Sequence, residues 1–174
     1  LIYRLRQTFG LISDAELIVS TASGYQFNPK IHIIADYQQF DEFIRLASAA
    51  SSIINRVELL KSAIDLYNGK ILSSAEGEHW LIQFATKYHI AYISAVNELL
   101  KQLASLHSYD LLNQYAMRSL TIAPENTKGY YWLIRSLKAQ GMDELASNEY
   151  RLAKQKLTDN EYLDLLDLLA NNQE

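Results

Sequence analysis

The sequence predicts a mainly α fold: antiparallel helical hairpins stacked side by side, preceded by a short helix and a β-hairpin. Three observations predict it. From residue 36 onward, apolar residues recur three or four apart in one segment after another, which places them on one face of each helix. Only 2 of the 174 residues are proline, the residue that breaks helix interiors. The apolar spacing of residues 130–153 also returns, in weaker form, one helical hairpin earlier.

The elements follow in order. Ile2, Leu5 and Phe9 share one face of a helix over residues 2–9, with Gly10 as its C-cap. Residues 16–20 and 25–28 read as strands. Thr21-Ala22-Ser23-Gly24 turns between them, because Gly24 can adopt the positive φ of a tight turn. Pro29 ends the second strand, and Ile31 to Ile34 is either a short third strand or an extended linker. Asp36-x-x-Gln39 opens a helix as a capping box, with Phe40, Phe43, Ile44 and Ala47 on one stripe. A second helix spans 53–67 and stops at Asn68-Gly69. Residues 70–77 read as a loop, closed by Trp80 as an anchor. A long helix then covers 78–106, followed by helices at 109–122, 127–140, 143–157 and 161–170. Thr158-x-x-Glu161 is a capping box for the last of these, with Leu165, Leu166, Leu168 and Leu169 on its buried side and Asp164 and Asp167 in solvent.

Composition narrows the function classes. A net charge of −4 argues against a nucleic-acid coat, because non-specific affinity comes from cationic charge. With no cysteine, disulfides and thiolate metal sites are excluded, and reducing cytoplasm is the simplest compartment. No apolar run approaches the ~18–20 residues of a membrane span, and no signal peptide is visible. The chain opens on Leu1 rather than Met, so residue 1 is expected to be an internal position of a longer protein. Enzyme signatures are missing: there is no phosphate-cradling glycine loop, no nucleophile elbow and no carboxylate pair in an apparent cleft. No cofactor and no metal are expected. His79, near Glu76 and Glu78, has no second histidine at helical spacing, and acidic residues at a helix start suit the dipole.

The repeat is clearest at Tyr130-x2-Leu133-x3-Leu137-x3-Gly141-x4-Ala146-x3-Tyr150-x2-Ala153. This resembles the tetratricopeptide (TPR) pattern, in which a small residue such as Ala146 lets paired helices approach. Shifted back by about 34 residues, the frame meets Val96, Leu99, Leu103, His107, Leu112, Ala116 and Ser119. A third unit fits Phe40, Phe43, Ala47, Leu60 and Ala63. A single hairpin cannot bury its apolar face, so about three must stack.

The segment Leu60-x2-Ala63-Ile64-x-Leu66-Tyr67-x-Gly69-x-Ile71-Leu72, followed by Trp80 and the repeats, resembles the bacterial transcriptional activator domain of SARP-type transcription regulators. The resemblance covers residues 36–169 and implies a TPR-like helical domain over 36–174 that mediates protein contacts. In that family a winged-helix DNA-binding domain of the response-regulator type directly precedes it. Leu5-Arg6, then Leu17 to Thr21, then Gly24-Tyr25-Gln26-Phe27 stand in the order of a recognition-helix end and a wing. Residues 1–35 therefore resemble the C-terminal piece of such a domain. The resemblance departs at Gln26, where a basic residue is common, and at the uncharged tip Ala22-Ser23.

These readings name two candidate sites. Arg4, Arg6 and Gln7 on the helix, with Thr21 and Ser23 on the hairpin, are the DNA-facing candidates of the intact protein. Gly24 and Tyr25 are expected to serve the turn and the packing of the small unit. Tyr92, Tyr115, Tyr131 and Trp132 are candidates to line the concave surface of the stack and meet a protein partner, although packing competes for each of them. Two further readings remain open: a TPR-like scaffold for peptides, unrelated to DNA, and a helical domain that senses a small molecule.

Overall fold

The computed structural model describes residues 2–10, 16–69 and 79–171, without the side chains of His79 and Trp80. The expected loop at 70–77, the Trp80 anchor and the His79 surroundings lie outside what is described. The chain divides into two compact units, Leu1–Ala35 and Asp36–Glu174.

In the first unit α1 spans Ile2–Gly10, and strands β1 (Ile18–Thr21) and β2 (Gly24–Phe27) pair antiparallel. The register pairs Ile18 with Phe27 and Thr21 with Gly24. The turn is therefore two residues, Ala22-Ser23, shorter than the four expected, because Thr21 and Gly24 join the ladder. Gly24 has φ 140°, a conformation that side chains disfavour. Asn28 closes the hairpin: its backbone N–H donates to Leu17 O at 2.8 Å and its side-chain amide donates to Glu16 O at 2.9 Å. Residues 31–34 form no strand.

The second unit is helical. α2 (Asp36–Ala49) pairs with α3 (Ile53–Leu66), α4 (His79–Ser105) with α5 (Tyr109–Ile122), and α6 (Thr127–Ala139) with α7 (Asp143–Lys156). α8 (Asp159–Asn171) packs on α6 and α7. Besides these pairs, α3 meets α4, α5 meets α6, and α4 meets α6. First helices of successive hairpins thus touch one another, which is the arrangement of a TPR-like stack. One core runs through it, from Phe40 through Ile64, Tyr92, Leu99 and Leu133 to Leu165. Each such side chain contributes about 1.5–3 kcal/mol when fully buried.

Helix ends carry their own signals. At α8, Thr158 N–H and Oγ1 both donate to Glu161 Oε2, at 2.9 and 2.7 Å, while Glu161 N–H reaches Thr158 Oγ1 at 3.4 Å. This reciprocal box fits the expected motif. At α2 the outcome differs: Asp36 is itself helical, and its Oδ1 accepts from the adjacent Tyr37 N–H at 2.8 Å. The C-terminus of α2 is closed by Arg56, which donates to the Ala47 and Ala50 carbonyls at 3.3 and 2.8 Å. On α8, Leu165 is buried as expected, but Leu166 is 38% exposed and Leu163 58% exposed. α6 and α7 lie to one side of α8, so only its residue-165 face is covered.

Candidate functional site

In the first unit Arg6 ties α1 to the hairpin. Its Nε donates to Ile18 O at 3.1 Å, and its Nη2 donates to Ser20 Oγ at 3.0 Å and pairs with Glu16 Oε1 at 3.2 Å. Its guanidinium also lies 5.7 Å from the centre of the Tyr25 ring. One of the five residues expected to face DNA thus commits its Nε and Nη2 inside the unit. Arg4 is exposed, and its side chain has no partner among the described residues. Gln7 Nε2 donates to Tyr3 OH at 3.0 Å. Thr21 and Ser23 are exposed, with their hydroxyls 3.3 Å apart, and Thr21 Oγ1 also reaches Gly24 O. Tyr25, expected to pack, is instead 60% exposed: it shares the hairpin face of Ser20, and only the Arg6 side chain of α1 lies over its ring.

In the helical unit three of the four aromatic candidates are core residues. Tyr92 is fully buried, stacked on Tyr67 with ring centres 4.4 Å apart. Burial pushes its hydroxyl up to about 12, and that hydroxyl has no hydrogen-bond partner among the described residues. Tyr115 is buried on α5, with its hydroxyl 3.3 Å from Asp65 Oδ2 and pushed up to about 12 by burial and then by the Asp65 charge. Arg118 closes on the same carboxylate, so α3 and α5 are fastened there. Tyr131 is buried with its hydroxyl accepting from Arg135 at 2.7 Å. Packing therefore claims Tyr92 and Tyr115, whereas Tyr131, although largely buried, also lines a cavity together with Trp132. All three stand on the core stripes of their helices. Trp132 is half-buried and meets Tyr131 edge-on at 4.9 Å, with Arg135 beside both rings.

Trp132 lines a groove that the aromatic candidates alone did not reveal. One cavity, about 410 Å³, lies between α4, α6 and α8, with Asn97, Lys101, Lys128, Trp132 and Leu168 on its walls. A second, about 490 Å³, lies between α2, α3 and α4, bounded by Ile44, Ser48, Arg56, Leu60 and Ala91. Ser94 and Glu98 belong to both, so the two adjoin as a groove along α4. Glu98 Oε1 accepts from Gln102 Nε2 at 2.6 Å. The groove walls are held by Asn126, whose side chain donates to Asn97 Oδ1 at 3.0 Å and joins α4 to the start of α6. The signal for this site was present in the sequence as a second stripe on α4. Ala91, Ser94, Glu98 and Lys101 recur three and four apart beside the core stripe.

Two other links hold neighbouring helices. Tyr88 OH donates to Asp41 Oδ2 at 2.7 Å, with its own ionisation raised by burial and by that carboxylate. His89 lies between Tyr67 OH at 3.0 Å and Glu125 Oε1 at 2.6 Å. Among the described residues no three His, Asp or Glu side chains gather as a metal site, and no helix is long and apolar enough to cross a membrane.

No curated protein matches the chain. The family model of the bacterial transcriptional activator domain, a regulatory rather than an enzymatic family, matches residues 35–164. With the helical stack occupying that same span, the chain belongs to the bacterial transcriptional activator domain family.

Proposed function

We propose that the chain is part of a transcription regulator. Its N-terminal region belongs to a winged-helix DNA-binding domain, and its helical stack makes protein contacts, with itself or with the transcription machinery, in the cytoplasm. The observation that carries this reading is the family match over residues 35–164, directly after a helix and hairpin in the recognition-helix and wing order. Two features support it. Arg6 fixes the hairpin against α1, while the exposed Arg4 side chain forms no ion pair among the described residues, a division of labour suited to phosphate contact. Tyr3 and Phe27 are 72% and 59% exposed, an apolar surface that further helices of a winged-helix domain would cover.

The test uses the full-length gene product in a selection from genomic DNA fragments, followed by affinity measurements on the selected fragments. Arg4→Ala weakens binding across sequences and reduces the salt slope by about one. Failure to retain any fragment overturns the DNA reading. A peptide-binding scaffold unrelated to DNA is then the reading left, and the groove along α4 favours it.

A further inference from the structure

We infer that the groove along α4 receives an extended acidic peptide segment of a protein partner, with its carboxylates at the Lys101–Lys128 end and apolar side chains toward Ile44. This rests on the reading of the helical stack as a protein-contact surface and names the chemistry of what it contacts.

The charges make the case. The protein is acidic overall, with 20 carboxylate residues against 16 Lys and Arg. Arg6, Arg45, Lys61, Lys87 and Arg118 each pair with a carboxylate. Lys101 and Lys128 are exposed, form no ion pair among the described residues, and line one cavity together, with Glu98 beside them. Two unpaired ammonium groups in a concave site raise the local potential and select a partner of opposite sign.

The shape argues for a chain rather than a compact metabolite. The two cavities adjoin at Ser94 and Glu98, so the groove crosses from α2 to α8 over successive hairpins. Its floor at Ala91, Ser94 and Ala95 is built of small side chains, which lets a backbone approach. Trp132 offers a rigid aromatic wall beside the lysines. Glu98 sets the polarity of the occupant: it repels a carboxylate at mid-groove and can accept from a peptide N–H there. Toward α2 the walls carry apolar Ile44 and Leu60 beside Arg56, whose Nε and Nη2 donate to the Ala47 and Ala50 carbonyls. The same Glu98 argues against a nucleic-acid strand, whose phosphates would follow one another across it.

The experiment is a selection of random peptides of about twelve residues displayed on phage against the 174-residue chain. Binding of the enriched sequences is then measured as fluorescein-labelled peptides by anisotropy. The expected result is enrichment of Asp and Glu next to apolar positions. Lys101→Glu with Lys128→Glu should lower affinity at least about tenfold, and added salt should weaken binding. Circular dichroism checks that the double variant is folded, and Lys101→Gln with Lys128→Gln serves as a milder second pair. Ser94→Trp, which fills the junction of the two cavities, should block binding as well. Enriched peptides that Ser94→Trp blocks but that are neutral, or indifferent to both lysine pairs, overturn the acidic partner and leave the groove reading standing. Selection that yields nothing blocked by Ser94→Trp overturns both. A labelled DNA duplex bound more tightly than the peptides, and lost with the lysines, overturns the inference in favour of nucleic acid.

Discussion

His107 and Gly141 hold the same left-handed turn, with φ 55° and 72°, at equivalent places in successive hairpins. In each, the next residue donates back across the turn: Ser108 N–H to Leu103 O at 3.0 Å, and Met142 N–H to Leu137 O at 2.8 Å. These are matching Schellman closures, and the left-handed position costs a residue with a Cβ about 1–2 kcal/mol. His107→Gly is expected to stabilise the protein by about 0.5–1 kcal/mol. The net is smaller because glycine also gains freedom in the unfolded chain, and the edge contact of His107 with Tyr109 is lost. Gly141→Ala should cost about 1 kcal/mol. Urea midpoints at unchanged m-value measure both, and a destabilised His107→Gly would refute the equivalence.

Tyr92 is buried with an unpartnered hydroxyl, while its ring stacks on Tyr67. Tyr92→Phe keeps the stack and removes the buried polar atom, so it should be neutral or stabilising by up to about 1 kcal/mol. A loss of more than about 1 kcal/mol would mean the hydroxyl has a partner after all.

Besides Tyr67, Tyr88 and Tyr130, whose ionisation is raised as well, Tyr92 and Tyr115 contribute to the alkaline limit. Their hydroxyls, ordinarily near 10, are raised to about 12. A raised folded value means the contribution is complete below about pH 10 and is lost as pH rises toward 12. Thermal midpoints should fall steeply across that window, and less steeply in Tyr92→Phe with Tyr115→Phe. Parallel curves for the two proteins would assign the alkaline loss to other groups.

At the acid end the Thr158 hydrogen bonds hold Glu161 below its ordinary value near 4.5. A depressed folded value gives stability that is present above pH 4.5 and disappears as pH drops through the folded value. Glu161→Gln should therefore lower the α8 contribution at neutral pH and flatten the acid limb. Fluorescence-monitored unfolding at pH 3 to 7 reads this, and an unchanged slope would show that the cap is not coupled to folding.

Arg6 and Arg4 should separate in hydrogen exchange. Arg6→Ala removes the ties to Ile18, Ser20 and Glu16, so amides of β1 and β2 should lose protection. Arg4→Ala should leave them unchanged. Equal effects would remove the strut assignment.

The helices were legible because each hairpin repeats a local pattern. Tyr109–Ile122 was bounded by the residues expected, and Thr158 and Glu161 announced their cap. The groove was only half legible. Trp132 was singled out for its ring, whereas Lys101 and Lys128 went unremarked, since two lysines on different helices become neighbours only when α4 and α6 pack. Tyr92 is ambiguous in the sequence for the same reason. A tyrosine can suit either core or surface, and its Tyr67 neighbour comes from another helix.

Periodicity, caps and the recurring hairpin unit are short-range properties, so the chain's own order of residues was enough to set helix identity, stacking and the break near residue 36. Which tyrosines are core, which arginine is a strut, and which cations share a cavity depend on contacts between residues far apart in the chain. Those contacts come into being only when the helices pack, since burial and charge pairing are properties of neighbours in space.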